Sequence, residues 1–148
     1  MVLTRAELRS WFKLVMGIKA LLDALDRQLR AEAAMSHDEY GILSRLYREP
    51  GLTMRMGDLA REVGFSPSRL SHAMQRLEEE GWIQRQRIPG DRRIVEAALT
   101  EAGTEKVRAV SPDHLAMVRK LVFETLGPDR TRETADAMDE VRRAAQGL

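Results

Sequence analysis

Apolar residues in the first thirty positions recur at Leu8, Trp11, Val15, Ile18, Leu22, Leu25 and Leu29, an average step of 3.5 residues. That is the repeat of a helix with one continuous apolar face. Thr4-Arg5-Ala6-Glu7 precedes the run and has the form of a capping box, in which Thr4 and Glu7 satisfy each other's backbone N–H groups. One long helix is predicted from there. Its seam fits either a core stripe within the chain or a contact with a second subunit.

Ser36-His37-Asp38-Glu39 repeats the capping logic and opens a shorter helix with Tyr40, Leu43, Leu46 and Tyr47 at helical spacing, closed by Pro50-Gly51. Met56 to Val63 predicts a short helix with Met56, Leu59, Ala60 and Val63 on one face, ended by Gly64. Ser66-Pro67 then restarts a helix at once, serine as cap and proline at the first helical position. Leu70, Ala73, Met74 and Leu77 face inward along it. Two short helices around a glycine turn make a helix-turn-helix candidate. Residues 82–88 and 94–99 read as two strands, with Pro89-Gly90 and the charges Asp91, Arg92 and Arg93 as the turn between them. A helix-turn-helix followed by a two-stranded hairpin is a winged helix.

Thr100 is placed to cap a further helix with Val107 and Val110 on its apolar side. Pro112 either kinks this helix or breaks it, and the residues leave both open. Leu115, Val118, Val122, Phe123 and Leu126 continue the pattern to Gly127-Pro128. Thr131 to Ala145 predicts a last helix with Ala135, Met138 and Val141 inside. The fold class expected is mainly α with a small β-hairpin wing: a winged helix-turn-helix lobe over 36–100, flanked by helical assembly regions over 4–32 and 101–146.

Composition narrows the function. The chain has 148 residues, 43% hydrophobic and 32% charged, as expected of a helix-rich globular protein. No apolar run is long enough for a membrane span and no secretory signal is evident at the N-terminus, so a cytoplasmic location is expected. The absence of cysteine excludes disulfides and thiol chemistry. His37, His72 and His114 are far apart and none has a partner at metal-ligand spacing, so no metal site is expected. No phosphate loop, nucleophile elbow or metal-binding helix motif occurs, so neither an enzyme nor a cofactor is expected. With a net charge of +1, a nucleic-acid partner is signalled only by where the arginines fall.

They fall on the second short helix and the wing. Ser66, Ser68, Arg69, Ser71, His72, Gln75 and Arg76 are polar positions of the helix after its apolar face is assigned. Such short polar and cationic side chains suit base edges in a major groove, and equally an ordinary surface helix. Arg92 and Arg93 at the wing tip would lie where the adjacent minor groove concentrates negative potential. Arg85 and Arg87, two residues apart on the first strand, point to one side and suit phosphates, or are exposed edge charges.

These residues resemble the MarR-type transcriptional regulators. The family's Asp-x-Arg, five residues, Leu-Thr signature is matched by Asp91, Arg93, Leu99 and Thr100. An earlier pattern is matched by Met56, Leu59, Ala60, Gly64, Ser66 and Ser68, and a third by Arg76, Leu77, Glu78, Gly81 and Ile83. The resemblance covers nearly the whole chain, 1–148, as a single MarR-type domain. It implies a homodimer formed by the terminal helices, with two lobes on consecutive major grooves of a near-palindromic operator in double-stranded DNA. It further implies a prokaryotic repressor released by a small-molecule effector, with Asp91 orienting Arg93 for the minor groove. His72 stands where many relatives carry arginine.

The resemblance also implies an effector that is a small aromatic or phenolic anion, walled by Trp11, Phe12, Met16 and Tyr40, with His114 and Phe123. The tryptophan early in the first helix is similar to the urate-responsive subgroup, but Gly41 stands where that subgroup carries an acidic residue. The alternative reading is a winged helix used for protein–protein contact without specific DNA binding.

Overall fold

A computed structural model describes residues 2–147, which form two compact units, one ending at Pro112 and the other beginning at Asp113. The first unit opens with α1 (Arg5–Ala33) and α2 (His37–Tyr47). Both carry complete capping boxes: Thr4 Oγ1 accepts the Glu7 N–H, and Ser36 Oγ accepts the Glu39 N–H, while each glutamate reaches back to the cap N–H. The residue types that predict these helix starts are the ones that make them.

A short 3₁₀ turn over Pro50–Leu52 leads into β1 (Thr53–Arg55), then α3 (Met56–Val63), α4 (Pro67–Glu79), β2 (Ile83–Ile88) and β3 (Asp91–Leu99). β3 is central in an antiparallel sheet of order β1-β3-β2. The two-stranded hairpin expected from sequence is thus a three-stranded sheet, with Thr53 opposite Ala98 and Arg55 opposite Glu96. β1 is three residues long, too short to show an alternation of its own, and pairing to β3 is what makes it a strand.

The apolar faces of α2, α3 and α4 close over the sheet and the end of α1. Leu29, Ile42, Leu43, Leu46, Leu59, Met74 and Leu77 are fully buried, each of the larger side chains contributing about 1.5–3 kcal/mol by its removal from water. The seam of α1 divides. Leu25 and Leu29 are in the core, whereas Leu8, Trp11, Val15, Ile18 and Leu22 are exposed, as are Phe12 and Met16 beside them.

Thr100 caps α5 (Glu101–Val118), its Oγ1 accepting the Gly103 N–H at 3.0 Å. The helix continues through Pro112 rather than breaking there. In the second unit a π-helical turn, Arg119–Phe123, and α6 (Glu124–Leu126) precede α7 (Pro128–Gln146). Proline at the first position and the Gly127 carbonyl, which accepts the Thr131 hydroxyl at 2.7 Å, start α7 three residues earlier than the sequence suggests. Ala135 and Val141, expected inside, are exposed, Met138 between them is half-buried, and α7 has no buried residue among those described.

Candidate nucleic-acid interface

The turn between α3 and α4 is set by Gly64, whose φ of 72° lies in the left-handed region that a side chain would strain. Phe65 donates its N–H back to the Ala60 carbonyl at 2.9 Å. Ser66 then caps α4, its Oγ accepting the Arg69 N–H at 3.2 Å and lying 3.2 Å from the Ser68 hydroxyl. Leu70, Met74 and Leu77 anchor the helix in the core. That leaves Ser66, Ser68, Arg69, Ser71, His72, Gln75 and Arg76 exposed, as the sequence implies.

The exposed positions are not equivalent. Helical spacing puts Arg69 and Arg76 on one flank, Ser71 and Gln75 on the other, and Ser68 and His72 between them. Gln75 hydrogen-bonds Glu79 at 3.3 Å. Both flank arginines are engaged within the protein. Arg69 forms a bidentate pair with Asp38, with nitrogen–oxygen distances of 2.7–2.9 Å, and its guanidinium lies 4.2 Å from the Phe65 ring centroid. Arg76 meets Glu39 Oε1 at 2.9 Å and donates to the Ala34 carbonyl at 3.2 Å. Sequence reasoning treats Asp38 and Glu39 only as first-turn residues of α2. Their partners lie more than thirty positions away, and no local pattern connects them.

These groups line a cavity of about 490 Å³ between the second half of α1, the start of α2 and α4, with Asp26, Arg30, Asp38, Glu39, Arg69, His72 and Arg76 in its wall. Asp26 accepts the His37 backbone N–H at 2.9 Å and pairs with Arg30 at 2.6 Å. The carboxylates of this cavity are therefore matched by cations at close range.

On the wing, Arg85 grips Glu78 at the end of α4 through both oxygens, at 2.6–3.0 Å, and its own backbone N–H also donates to Glu78. The hydrogen bonds from Arg85 hold the Glu78 carboxyl below the ordinary carboxylate range, and the same bonds raise Arg85. Arg85 thus ties β2 to α4, a role its placement on an edge strand does not suggest. Arg87 donates to the Arg92 carbonyl at 3.3 Å.

Asp91, Arg92 and Arg93 belong to β3 rather than to the turn, which is confined to Pro89-Gly90. Arg87 is opposite Val95 while the next residue, Ile88, is opposite Asp91, so Arg92, Arg93 and Ile94 bulge from the ladder. Asp91 Oδ1 accepts the backbone N–H of Arg93 at 3.0 Å, so the carboxylate acts on the main chain of the arginine it was expected to orient. Arg92 and Arg93 are both exposed. The π-face-bound, paired arginine of α4 and the bulged arginines of the wing are therefore different kinds of cation.

The residues assigned to an effector are dispersed in character. Trp11, Phe12 and Met16 are 56%, 62% and 60% exposed on α1. Tyr40 is buried, with its hydroxyl 3.0 Å from Ser111 Oγ. His114 is buried and Phe123 half exposed in the second unit. Among the described residues, no group of three or more His, Cys, Asp or Glu is gathered as a metal ion would require, and no helix is long and apolar enough to cross a membrane.

Residues 35–95 match the model of the MarR family. Along its whole length the chain is similar to AbsC, a MarR family transcriptional regulator from Streptomyces coelicolor, with 32% identity, a TM-score of 0.92 and 99% of AbsC covered. It is similar over the same length to Sco3205, a MarR family transcriptional regulator of that organism whose structure was solved in complex with DNA, with 38% identity, a TM-score of 0.92 and 91% of that chain covered. Among curated proteins it is 42% identical over 62 residues to YwhA, an uncharacterized HTH-type transcriptional regulator of Bacillus subtilis; that match takes in 42% of this chain and 43% of YwhA. The curated relatives it matches first are thus spanned for less than two thirds of their length. A helix-turn-helix with a bulged, arginine-bearing wing, carried on the same fold over the same length as two such regulators, has one reading: the chain belongs to the MarR family of transcriptional regulators, which are not enzymes.

Proposed function

We propose that the chain is a sequence-specific DNA-binding regulator that works as a homodimer on a near-palindromic operator in the cytoplasm, and that it is a repressor released by a small aromatic or phenolic effector. The observation that carries the DNA reading is the pairing of an exposed polar face on α4, through Ser68, Ser71, His72 and Gln75, with the exposed Arg92 and Arg93 of the wing. The first suits base edges in a major groove and the second an adjacent minor groove. Sco3205, 38% identical, was crystallised with DNA, which supports the same partner here. Arg87 would add a phosphate contact, whereas Arg69, Arg76 and Arg85 would first have to leave or share their carboxylates.

The dimer is supported by the apolar face that α1 leaves uncovered from Leu8 to Leu22, together with Leu115, Phe123 and Val141 at 47–59% exposure. Exposed apolar residues in such number on each unit are the kind that a second subunit covers. A two-fold dimer doubles the base contacts of one lobe and demands half-sites about 34–36 Å apart. An effector would act by population shift, binding better to a dimer whose lobes are spaced wrongly for the operator.

The test is capture of genomic fragments by the purified protein at low and raised salt, followed by sequencing. A near-palindrome enriched at both salts supports the reading. Retention of no preferred sequence would favour the alternative, a winged helix that contacts protein. Arg93→Ala is expected to abolish the sequence preference with the dimer intact, and unchanged operator affinity would remove the role given to the wing.

A further inference from the structure

Arg69 and Arg76 leave the same flank of α4, two turns apart, and both meet carboxylates in the first turn of α2, yet they are held in different ways. Glu39 is only 8% exposed and serves two partners: Oε2 accepts the Ser36 N–H at 2.7 Å to complete the cap of α2, and Oε1 binds Arg76. Arg76 is held a second time by the Ala34 carbonyl at the end of α1. This pair fastens the reading helix to the α1–α2 corner and is part of the fold.

Asp38 has no such duty. Its described hydrogen bonds all come from Arg69, its side chain is 35% exposed, and the Arg69 side chain is 56% exposed with one face of the guanidinium against Phe65. The arginine is oriented by the ring and neutralised by the carboxylate while remaining open to solvent. An exposed pair of this kind shifts an equilibrium by no more than roughly fivefold. A phosphate held at the right place by a matched complex can therefore displace or share the carboxylate. A phosphate in a loosely registered complex competes with it at a disadvantage.

The geometry points to Asp38 as a specificity-setting residue: an internal competitor for phosphate that keeps Arg69 out of non-specific DNA complexes. It is a positioning residue, since it acts through Arg69, and the inference rests on the DNA-binding reading given above.

The experiment uses the full-length protein, Asp38→Asn, Asp38→Ala, Arg69→Ala and the Asp38→Asn/Arg69→Ala double variant. Each is titrated, over a series of salt concentrations, with a labelled mixed-sequence duplex and with the fragment that the wild type enriches from genomic DNA. Both Asp38 variants are expected to bind the mixed duplex roughly two- to fivefold more tightly, with the slope of log affinity against log salt steeper by nearly one per lobe. Affinity for the enriched fragment should change less, so that the ratio of specific to non-specific binding falls. In the Arg69→Ala background the Asp38 substitution should have no effect. Unchanged affinity and slope in both Asp38 variants would overturn the inference. So would an equal gain in the Arg69→Ala background, which would assign the effect to the loss of a negative charge near DNA. A wild-type protein that binds neither duplex would overturn the DNA reading itself, and this inference with it.

Discussion

Gly103 lies in the first turn of α5, buried, where the helix backs onto the start of the wing. In an open helix position Gly→Ala stabilises by about 0.5–1 kcal/mol, because alanine loses less backbone entropy. Here a Cβ would overlap the carbonyl oxygen of Trp82 outright and lie 2.8 Å from Leu99 Cδ1 and 2.9 Å from the Trp82 carbonyl carbon. The leucine end can rotate away, but the Trp82 carbonyl is main chain. It is fixed by accepting the Thr100 N–H at 3.0 Å, and the Trp82 N–H is fixed by the Leu77 carbonyl at 3.0 Å. Backing α5 off would strain that bond and the one from Thr100 Oγ1 to the Gly81 carbonyl at 2.7 Å. Overpacking of about 1–3 kcal/mol and two weakened hydrogen bonds of about 1 kcal/mol each outweigh the helical gain, so Gly103→Ala should lose about 2–4 kcal/mol. Gly41, in the middle of α2 with nothing within 4 Å of an added Cβ, is the internal control, and Gly41→Ala should gain about 0.5–1 kcal/mol. Urea unfolding followed by far-ultraviolet ellipticity, at one protomer concentration for all three proteins, reads both signs. A Gly103→Ala midpoint at or above that of the wild type would refute the reasoning.

Three further outcomes are expected. Leu22 is 44% exposed and Leu25 5% exposed, so Leu22→Asp should give a folded protein that no longer self-associates in sedimentation, whereas Leu25→Asp should lose about 3 kcal/mol or more and fail to fold stably; the same folded dimer from both would contradict the division of α1. Ala34 ends α1 at φ 54°, a conformation that costs a residue with a Cβ about 1 kcal/mol, so Ala34→Gly should raise the denaturation midpoint, and a fall would show that the cap is not strained. Because Arg85 lowers the folded-state value of Glu78, that carboxylate contributes stability above its unfolded value and loses it as pH falls through the lower folded one. Glu78→Gln should therefore be less stable than wild type at neutral pH, by no more than about 1 kcal/mol for so exposed a pair, and the gap should close in acid; a gap that is constant with pH would point to packing instead.

What the sequence discloses is what local chemistry decides. The caps at Thr4, Ser36, Ser66 and Thr100 are each made with groups three residues away, and all four are legible. The same holds for the glycine that turns α3 into α4. β1 is hidden because three residues carry no periodicity and their strand character is lent by β3. Within the candidate site, the exposure of the α4 positions follows from the apolar stripe opposite them. The attachment of Arg69 to Asp38, of Arg76 to Glu39 and of Arg85 to Glu78 does not, since each joins residues brought close only by tertiary packing. The seam of α1 is the intermediate case: its period is plain, but where the core stops between Leu22 and Leu25 depends on how far α2 reaches along it.

The third strand has a consequence for how such a lobe can change over time. β1 runs without a break into α3, and through its ladder with β3 it joins the frame of the helix-turn-helix to the strand that carries Arg92 and Arg93. Arg85 joins β2 to the far end of α4. Wing and α4 are thereby tied at two places, one a backbone ladder and the other a partly exposed ion pair. In a lobe that reads DNA as proposed, the ladder would hold the interval between the bases touched by α4 and those touched by the wing nearly constant, and new target sites would be reached by exchanging side chains on α4 and the wing or by resetting the distance between two whole lobes.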